Sequence, residues 1–557
     1  YYAEESGISE DEIKAVAEEF WKNAPYSVAF AYHGGGNYVG GTYASYAIAM
    51  LNALVGNVNR RGGYLGKGRG AADWQRGLYD LKSFKGMVKA KGVKISREKF
   101  HYEKTTEFKK KGYPSKLPWF PFTKGGLSVA AISGIDRQYP YPIKVLISYF
   151  ADFVYSMPGG KRFISTLKDH DKVPLFISID TTINETNIYA DYIVPDVTYL
   201  EGHYGFLTPH APGGYFTAVR TPVVEPLVGK TKEGNPYSME TFIIDVSRYL
   251  KLPGYGKNAI PGRDGKFYPL ERAEDYYLRG IANLAVNAKV KDAEAKEVKF
   301  VEENYPVSKF KGILKESEWK KVCYVLVRGG VFKSDSLLFD KNGNFKSKVK
   351  KICVWNEKLG TSRNSLTGER LWGTLKYVVA TDYTGKDINK IQEKEGYTFN
   401  IISYKSALHT QSRTICYNQA LVYEPDFSLK LHPHDAAILG LKDGDKVRVS
   451  SPSTKKSFIT TVKVTELVRP GVVAYSHHFG HWQHGASSLY VENGEKVFLG
   501  GKKVVRNGWL LPDKKRAVGI PVNALTYLDP NFYNLPLLET FSGIPDFSST
   551  KVKIEKL

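Results

Sequence analysis

The chain alternates between stretches whose apolar residues recur at helical spacing and shorter runs with strand character. Ser9 and Glu12 form a capping-box pair ahead of Ile13, Val16, Ala17 and Phe20, which predicts an amphipathic helix stopped by Pro25. Ser27 to Tyr32 reads as a buried strand running into the loop His33-Gly34-Gly35-Gly36-Asn37. A second helix follows, carrying Ala47, Ile48, Leu51 and Leu54 and ending at Gly56-Asn57. Arg60-Arg61-Gly62-Gly63 then opens a stretch with more glycines, Gly66, Gly68 and Gly70. Residues 71–140 are rich in Lys, Tyr and Pro, lack periodicity, and read as an insertion.

Strand character returns from Lys144 to Phe150 and from Leu175 to Asp180, with a segment between them long enough for a crossover helix. That spacing predicts an α/β region, residues 1–225, built on a mostly parallel sheet covered on both faces. In such sheets ligands bind where strands end, so the loops after Tyr32, Phe150 and Ile179 are expected to share one crevice. Residues 226–394 read as a connecting α+β region with a helix from Glu271 to Val286. From 395 to 557 the pattern changes to short alternating strands, Val447 to Val449, Phe458 to Val464 and Val472 to Tyr475, with turns at Asp443-Gly444 and Pro470-Gly471. A compact β-barrel with one short helix, Asp435 to Leu439, closed by Gly440, is the expected result.

Composition narrows the function classes. At 557 residues the chain is too long for one core, and 42% hydrophobic residues exclude wholesale disorder. Cys323, Cys353 and Cys416 are far apart and form no CxxC pair, so the chain offers neither a disulfide framework nor a local zinc or iron–sulfur motif. The apolar run from Ala44 to Gly56 falls short of the roughly 20 residues of a membrane span. The chain starts Tyr1-Tyr2-Ala3, without the pattern of a signal peptide, and is expected to be a fragment or a processed chain. Lys plus Arg exceed Asp plus Glu by 79 − 57 = 22. That excess suits nucleic acid, an acidic membrane surface, or anionic cofactors and substrates. Its densest stretches, Lys109 to Lys111, Lys289 to Lys321 and Lys346 to Lys351, alternate with acids more than with aromatics, as solvated faces do.

The glycine loop is neither of the familiar phosphate motifs. After Gly35 and Gly40 come Gly41-Thr42 rather than Lys-Ser/Thr, and the loop holds no GxGxxG. Glycine for a tight turn is the plain alternative. Backbone N–H groups at a helix start, Arg60, Arg61 and a strand-end Asp180 nevertheless suit a ligand with a pyrophosphate and a polar ring system. Asp180 could instead cap its turn with Thr181 and Thr182.

Ordered blocks then carry a resemblance. They are Leu54-Val55-Gly56-Asn57 with Gly62-Gly63; Ile179-Asp180, Glu185-Thr186, Ala190-Asp191, Pro195 and Leu200-Glu201; His409-Thr410 and Arg413; His434-Asp435-Ala436, Leu439-Gly440 and Asp443-Gly444-Asp445; and Val522 to Thr526. In this order they resemble the molybdopterin-dependent oxidoreductases related to dimethyl sulfoxide reductase, formate dehydrogenase and nitrate reductase. The resemblance implies a Rossmann-like, mostly parallel sheet followed by a C-terminal double-psi β-barrel, with two molybdopterin guanine dinucleotides around Mo or W. The cofactor-binding positions it implies are His33, Gly34, Asn37, Asp152, Ile179, Asp180, Ser403, Tyr404, Lys405, Ser406, His409, Thr410, Gln411 and Asn523. Asp152 stands where relatives commonly have Asn, and the change adds charge.

The stretch Ser476-His477-His478-Phe479-Gly480-His481-Trp482 and the ending Pro536-Leu537 through Phe547 resemble the branch that reduces tetrathionate, polysulfide, thiosulfate, sulfur or arsenate. His477 and His478 are candidate catalytic residues, whereas the metal-ligating residue is expected N-terminal to this chain together with a 4Fe-4S cluster. His477, His481 and His484 lie in a glycine and strand context without a nearby Cys, which favours hydrogen-bonding or pocket-edge histidines over a zinc site. The resemblance also implies an anionic small-molecule substrate, an extracytoplasmic, membrane-associated setting, and two partners, a membrane-anchor subunit plus a ferredoxin-like iron–sulfur subunit. Two rivals remain: a cofactor-free structural homologue and a basic nucleic-acid-binding protein, the latter without a groove-entering helix or an aromatic RNA-binding strand.

Overall fold

The computed structural model describes residues 1–31, 36–83, 90–123, 125–210, 213–347, 352–453, 457–490 and 509–557. Contacts divide the chain into two units, each assembled from separate pieces. One comprises 1–30, 49–91 and 194–352, the other 31–48, 92–193 and 353–557.

In the first unit, Ser9 caps the helix Glu10–Lys22 and Glu12 answers its backbone, so the capping box forms as the sequence requires. The predicted strand from Ser27 does not form within its described residues. The amide of Asn52 holds both the N–H and the C=O of Ala29, at 3.0 and 2.7 Å, so a buried side chain takes the groups a strand ladder would use. Helices Ala273–Asn287 and Glu316–Val327 pack Leu278, Ile281, Leu284, Val322 and Val325 into this unit's core, together with Tyr79.

The second unit begins its sheet with β1 (Val145–Tyr149) and β2 (Leu175–Asp180), paired in parallel with Val145 opposite Leu175 and Tyr149 opposite Ile179. Phe176 on β2 packs with Val154, Phe163 and Leu167 from the crossover. Leu117, Phe120, Val129 and Ala130 join the same core, so much of the stretch read as an insertion is structural. The expectation of two covered faces is not met on β1, where Val145, Ile147 and Tyr149 are exposed.

The rest of this unit holds a closed barrel. Its strands are β3 (Phe399–Tyr404), β4 (Leu429–Leu431), β5 (Lys446–Ser450), β6 (Phe458–Val464), β7 (Val472–Ser476) and β8 (Lys551–Lys556), in the order β4-β6-β5-β8-β3-β7. Both parallel pairs, β4 with β6 and β3 with β7, join strands far apart in sequence. On β5, Val447 and Val449 point inward while Lys446 and Arg448 face water, the period-two pattern of a half-buried strand. Burying each such valine stabilises the barrel by roughly 1.5–3 kcal/mol. The short helix Pro433–Leu439 ends at Gly440, whose left-handed φ of 63° closes it as the sequence predicts.

Candidate functional site

Two adjoining cavities lie in the second unit. The larger, about 660 Å³, is lined by Asn37, Tyr155, Ser156, Ser403, Lys405, Gln411, Ser412, His477, Asn523 and Phe547. The smaller, about 240 Å³, is lined by the loop after β1 from Phe150 to Phe153, by Ser128, Ser156 and Met157, and by Gln411, Ser412, Arg413, His481 and His484. Ser156, Gln411 and Ser412 border both.

Each wall has a local cause. Asn37 is fixed because its carbonyl accepts the N–H of Phe547 at 3.0 Å, and two residues further on the Val39 N–H returns the contact by donating to Asp546 at 2.9 Å. Gly41 starts the following helix, and a Cβ there would lie 2.1 Å from the Gly36 carbonyl, so this turn requires glycine. Ser403 and Lys405 leave the end of β3, and His477 leaves the end of β7, its paired neighbour. Asn523 donates its amide to Ser156 O at 2.9 Å and accepts the Gly159 N–H at 2.9 Å, joining the barrel side to the loop after β1. Gln411 adopts φ 50°, a left-handed turn that seats it between the cavities.

The histidines differ in what they have left to offer. His478 donates Nδ1–H to the Gln411 carbonyl and accepts the Ser406 N–H on Nε2 at 3.1 Å, so both ring nitrogens are committed. Burial pushes its pKa down to about 4, as suits a neutral ring. His477 faces the larger cavity with Nε2 free of any partner among the described residues. Burial, helped by the Lys405 charge, keeps His477 below its ordinary pKa as well. Of the two candidates from the sequence, His477 is therefore the one able to act on a ligand. His409 is bonded to Thr414 Oγ1 and Glu424 O, at 3.0 and 2.9 Å, and is a structural strut of its loop. Thr410 donates its N–H to Thr414 Oγ1 within that loop.

Behind the smaller cavity is a buried polar network. The Asp180 carboxylate receives the Thr181 N–H at 2.8 Å and the Asn184 amide at 3.0 Å, and Arg413 stands 3.5 Å away. Arg413 also donates to Phe150 O at 3.0 Å and stacks on the Phe150 ring at 3.6 Å, so it ties the ends of β1 and β2 to the barrel loop. Burial pushes the Asp180 carboxyl up, against the pull of Arg413 and the Thr181 N–H. Glu185 Oε1 accepts three donors, His481 Nδ1–H at 2.8 Å and the backbone N–H groups of Trp482 and Gln483 at 2.9 and 2.8 Å. Asp152, Glu185 and His481 lie within 4.8 Å of one another. Tyr155 stacks on His481, with centroids 3.6 Å apart, and donates to the carbonyls of His477 and Phe479.

The structure thus places Asn37, Ser403, Lys405, Gln411 and Asn523 on the larger cavity and Asp152 on the smaller. Asp180 stands behind the second through Arg413. Ile179, Tyr404 and Ser406 support the walls without lining them: Ile179 O accepts the Phe150 N–H, and Tyr404 O accepts the His477 N–H. His33 and Gly34 lie outside the described residues. His481 and His484 line the smaller cavity and hydrogen-bond there, as the sequence reading of pocket-edge histidines expects, whereas sequence reasoning missed Arg413, Tyr155 and Glu185 as members of the same site. The run Asn184-Glu185-Thr186 was the signal for Glu185, but no local pattern pairs it with a histidine 296 positions away.

Comparison with known proteins gives three results that bear on this site. Residues 397–530, which hold most of the barrel, match the molydopterin dinucleotide binding domain. Over 87% of its length the chain is 36% identical to a tetrathionate reductase subunit of Archaeoglobus fulgidus, covering 46% of that protein. Over its whole length it is 34% identical to a selenate reductase subunit of Mesobacillus selenatarsenatis and 33% identical to a tetrathionate reductase subunit of Salmonella typhimurium, covering 54% of each. The chain spans about half the length of the curated relatives it matches.

Proposed function

We propose that this chain, a member of the molybdopterin-dependent oxidoreductases related to dimethyl sulfoxide reductase, is part of a catalytic subunit that reduces an oxidised sulfur compound or arsenate in anaerobic respiration. One observation carries the reading: strand-end and loop residues from four remote stretches, around Asn37, Ser403 to Lys405, His477 and Asn523, line a single cavity of about 660 Å³. The donor set fits a bis-molybdopterin guanine dinucleotide. Lys405 supplies positive charge, Asn37, Gln411 and Asn523 supply amides that both donate and accept, and Ser403 and Ser412 supply hydroxyls. His477 Nε2 is a buried polar atom without a partner among the described residues, as expected of a group reserved for a ligand.

When bound, such a group would supply the two-electron oxidation–reduction chemistry. The chain's own residues bind and orient. Lys405 meets negative charge, and Asn37, Gln411 and Asn523 fix ring and phosphate edges. His477, kept neutral by burial, holds one ring nitrogen toward the cavity as a hydrogen-bond partner for an anion or a proton donor. In this reading the α/β region, residues 1–225, is Rossmann-like and residues 395–557 form a double-psi barrel, with 226–394 connecting them. The relatives named for tetrathionate, selenate, arsenate and thiosulfate reduction support an anionic substrate class.

The reading extends to placement outside the cytoplasmic membrane, with a membrane-anchor subunit plus a ferredoxin-like iron–sulfur subunit. Among the described residues no helix is long and apolar enough to cross a membrane. The deciding experiment expresses the whole reading frame under anaerobic conditions and measures bound Mo, W and guanine nucleotide in the purified protein. Metal with guanine is the expected result. Absence of both makes the protein a cofactor-free homologue. Binding to nucleic acid that weakens steeply with salt, with no preference for tetrathionate, supports the basic-protein alternative instead.

A further inference from the structure

We infer that Asp152 is held in the folded protein as a neutral carboxylic acid, its proton donated to Glu185 Oε2, so that an acidic residue lines the smaller cavity without presenting charge. This rests on the reading of the two cavities as a cofactor site, because an uncharged wall matters where phosphates must approach.

The argument starts from an unsatisfied atom. Glu185 Oε1 is saturated by His481 Nδ1 and two backbone N–H groups. Glu185 Oε2 is buried, and no N–H or hydroxyl donor among the described residues reaches it. A buried carboxylate oxygen left bare costs on the order of 1–3 kcal/mol or more. The neighbouring group is the Asp152 carboxyl, within the 4.8 Å cluster it forms with Glu185 and His481. One proton on Asp152 fills the vacancy. Asp152 Oδ1 already accepts the Thr186 hydroxyl at 2.8 Å, and that hydroxyl in turn accepts the Val154 N–H at 2.9 Å, which leaves the other oxygen to carry the proton.

The surrounding charges agree. Arg413, the nearest cation, is engaged with Asp180 and with Phe150 O. His484 is committed on both nitrogens, to Thr182 Oγ1 and Arg413 O, and Tyr155 donates its hydroxyl to two carbonyls. His481 spends Nδ1 on Glu185. His481 is the other group beside Asp152 able to carry positive charge, and it is engaged by Glu185. Two adjacent carboxylates, Glu185 buried and Asp152 half-buried, cannot both ionise cheaply, so the one with three donors keeps the charge and the other keeps the proton. Burial, and after it the Glu185 charge, push the Asp152 carboxyl well up. Burial opposes ionisation of Glu185 too, but His481 and the Gln483 N–H outweigh it and hold Glu185 below the usual carboxylate range. Protonated in this way, the Asp152 carboxyl adds no charge to the cavity wall.

The experiment compares infrared spectra of the full chain and its Asp152→Asn variant at about pH 8, where ordinary carboxyls are ionised. The expected result is a protonated-carboxyl C=O stretch, shifted by D₂O, that is present in the natural chain and absent from D152N. Identical spectra in that region overturn the inference. If D152N does not fold, Asp152→Ser supplies the same comparison. A second readout is GDP affinity by equilibrium dialysis. It should fall roughly tenfold in the natural chain as pH rises through the titration of Asp152 and stay level in D152N. A pH profile shared by both proteins also counts against it. Should neither protein bind GDP, the cofactor reading fails, whereas the spectra still decide the state of Asp152.

Discussion

The two cavities share three wall residues but are built on opposite plans. The larger is lined by amides, hydroxyls, a lysine and a histidine whose Nε2 has no partner among the described residues. The smaller is backed by Asp180, Glu185, Arg413, His481 and His484, which bond to one another and to the neighbouring backbone and leave Glu185 Oε2 and His481 Nε2 as buried atoms without an N–H or hydroxyl partner among the described residues. The difference separates two tasks. Groups meant for a ligand are left available, while the network behind the second cavity fixes the ends of β1 and β2 against the barrel loops. A buried polar network of this kind is rigid where its groups are paired, and its members are costly to remove singly.

The sharpest break should come from Glu185→Ala. It strips three donors of their acceptor, including buried His481, and is expected to destabilise the second unit by about 3–5 kcal/mol in a denaturant titration. A loss below about 1 kcal/mol would mean the network is not the strut described here.

Next in size is a pH effect. His478 and His484 are each pushed down to about 4 by burial, first of all, so between about pH 6.5 and 4 these two side chains bind more protons in the unfolded chain than in the folded one, and their own contribution to stability is lost as pH falls. Stability should therefore fall as pH drops through that window, by on the order of 2 kcal/mol, and His478→Gln should flatten the fall in thermal melts. An unchanged slope in that variant would remove His478 from the account.

The smallest effect should come from the open cavity. Lys405→Ala should leave the melting temperature nearly unchanged and weaken GDP binding roughly tenfold, because its charge is spent on the ligand rather than on the fold. A large fall in stability would erase the contrast between the two cavities.

What could be read from the sequence follows the range of the interactions. The Ser9–Glu12 box, the Gly440 stop and the alternation on β5 are local, and each formed where its residues required. The strands that became β1 and β2 were legible from apolar runs; of the three loops expected to share one crevice, the one after Phe150 lines the smaller cavity, Asp180 after Ile179 stands behind it, and Tyr32 lies outside the described residues. The strand expected at Ser27 did not form within its described residues, because Asn52 competes for its backbone through a contact that periodicity does not encode. The site itself was legible only as a list of positions. Nothing near Arg413 in sequence shows that it meets Asp180, and nothing near Tyr155 shows that it stacks on His481. Those pairings are set by barrel closure, in which β3 and β7 run side by side despite the long stretch between them.

The open flank of β1 has a practical consequence. Val145, Ile147 and Tyr149 are 46%, 55% and 38% exposed, on a strand whose apolar side chains alternate toward water. Such a ribbon invites strand-to-strand adhesion between molecules. Preparations of this polypeptide by itself should clump as they are concentrated, and a lysine in place of Ile147 should keep them dispersed.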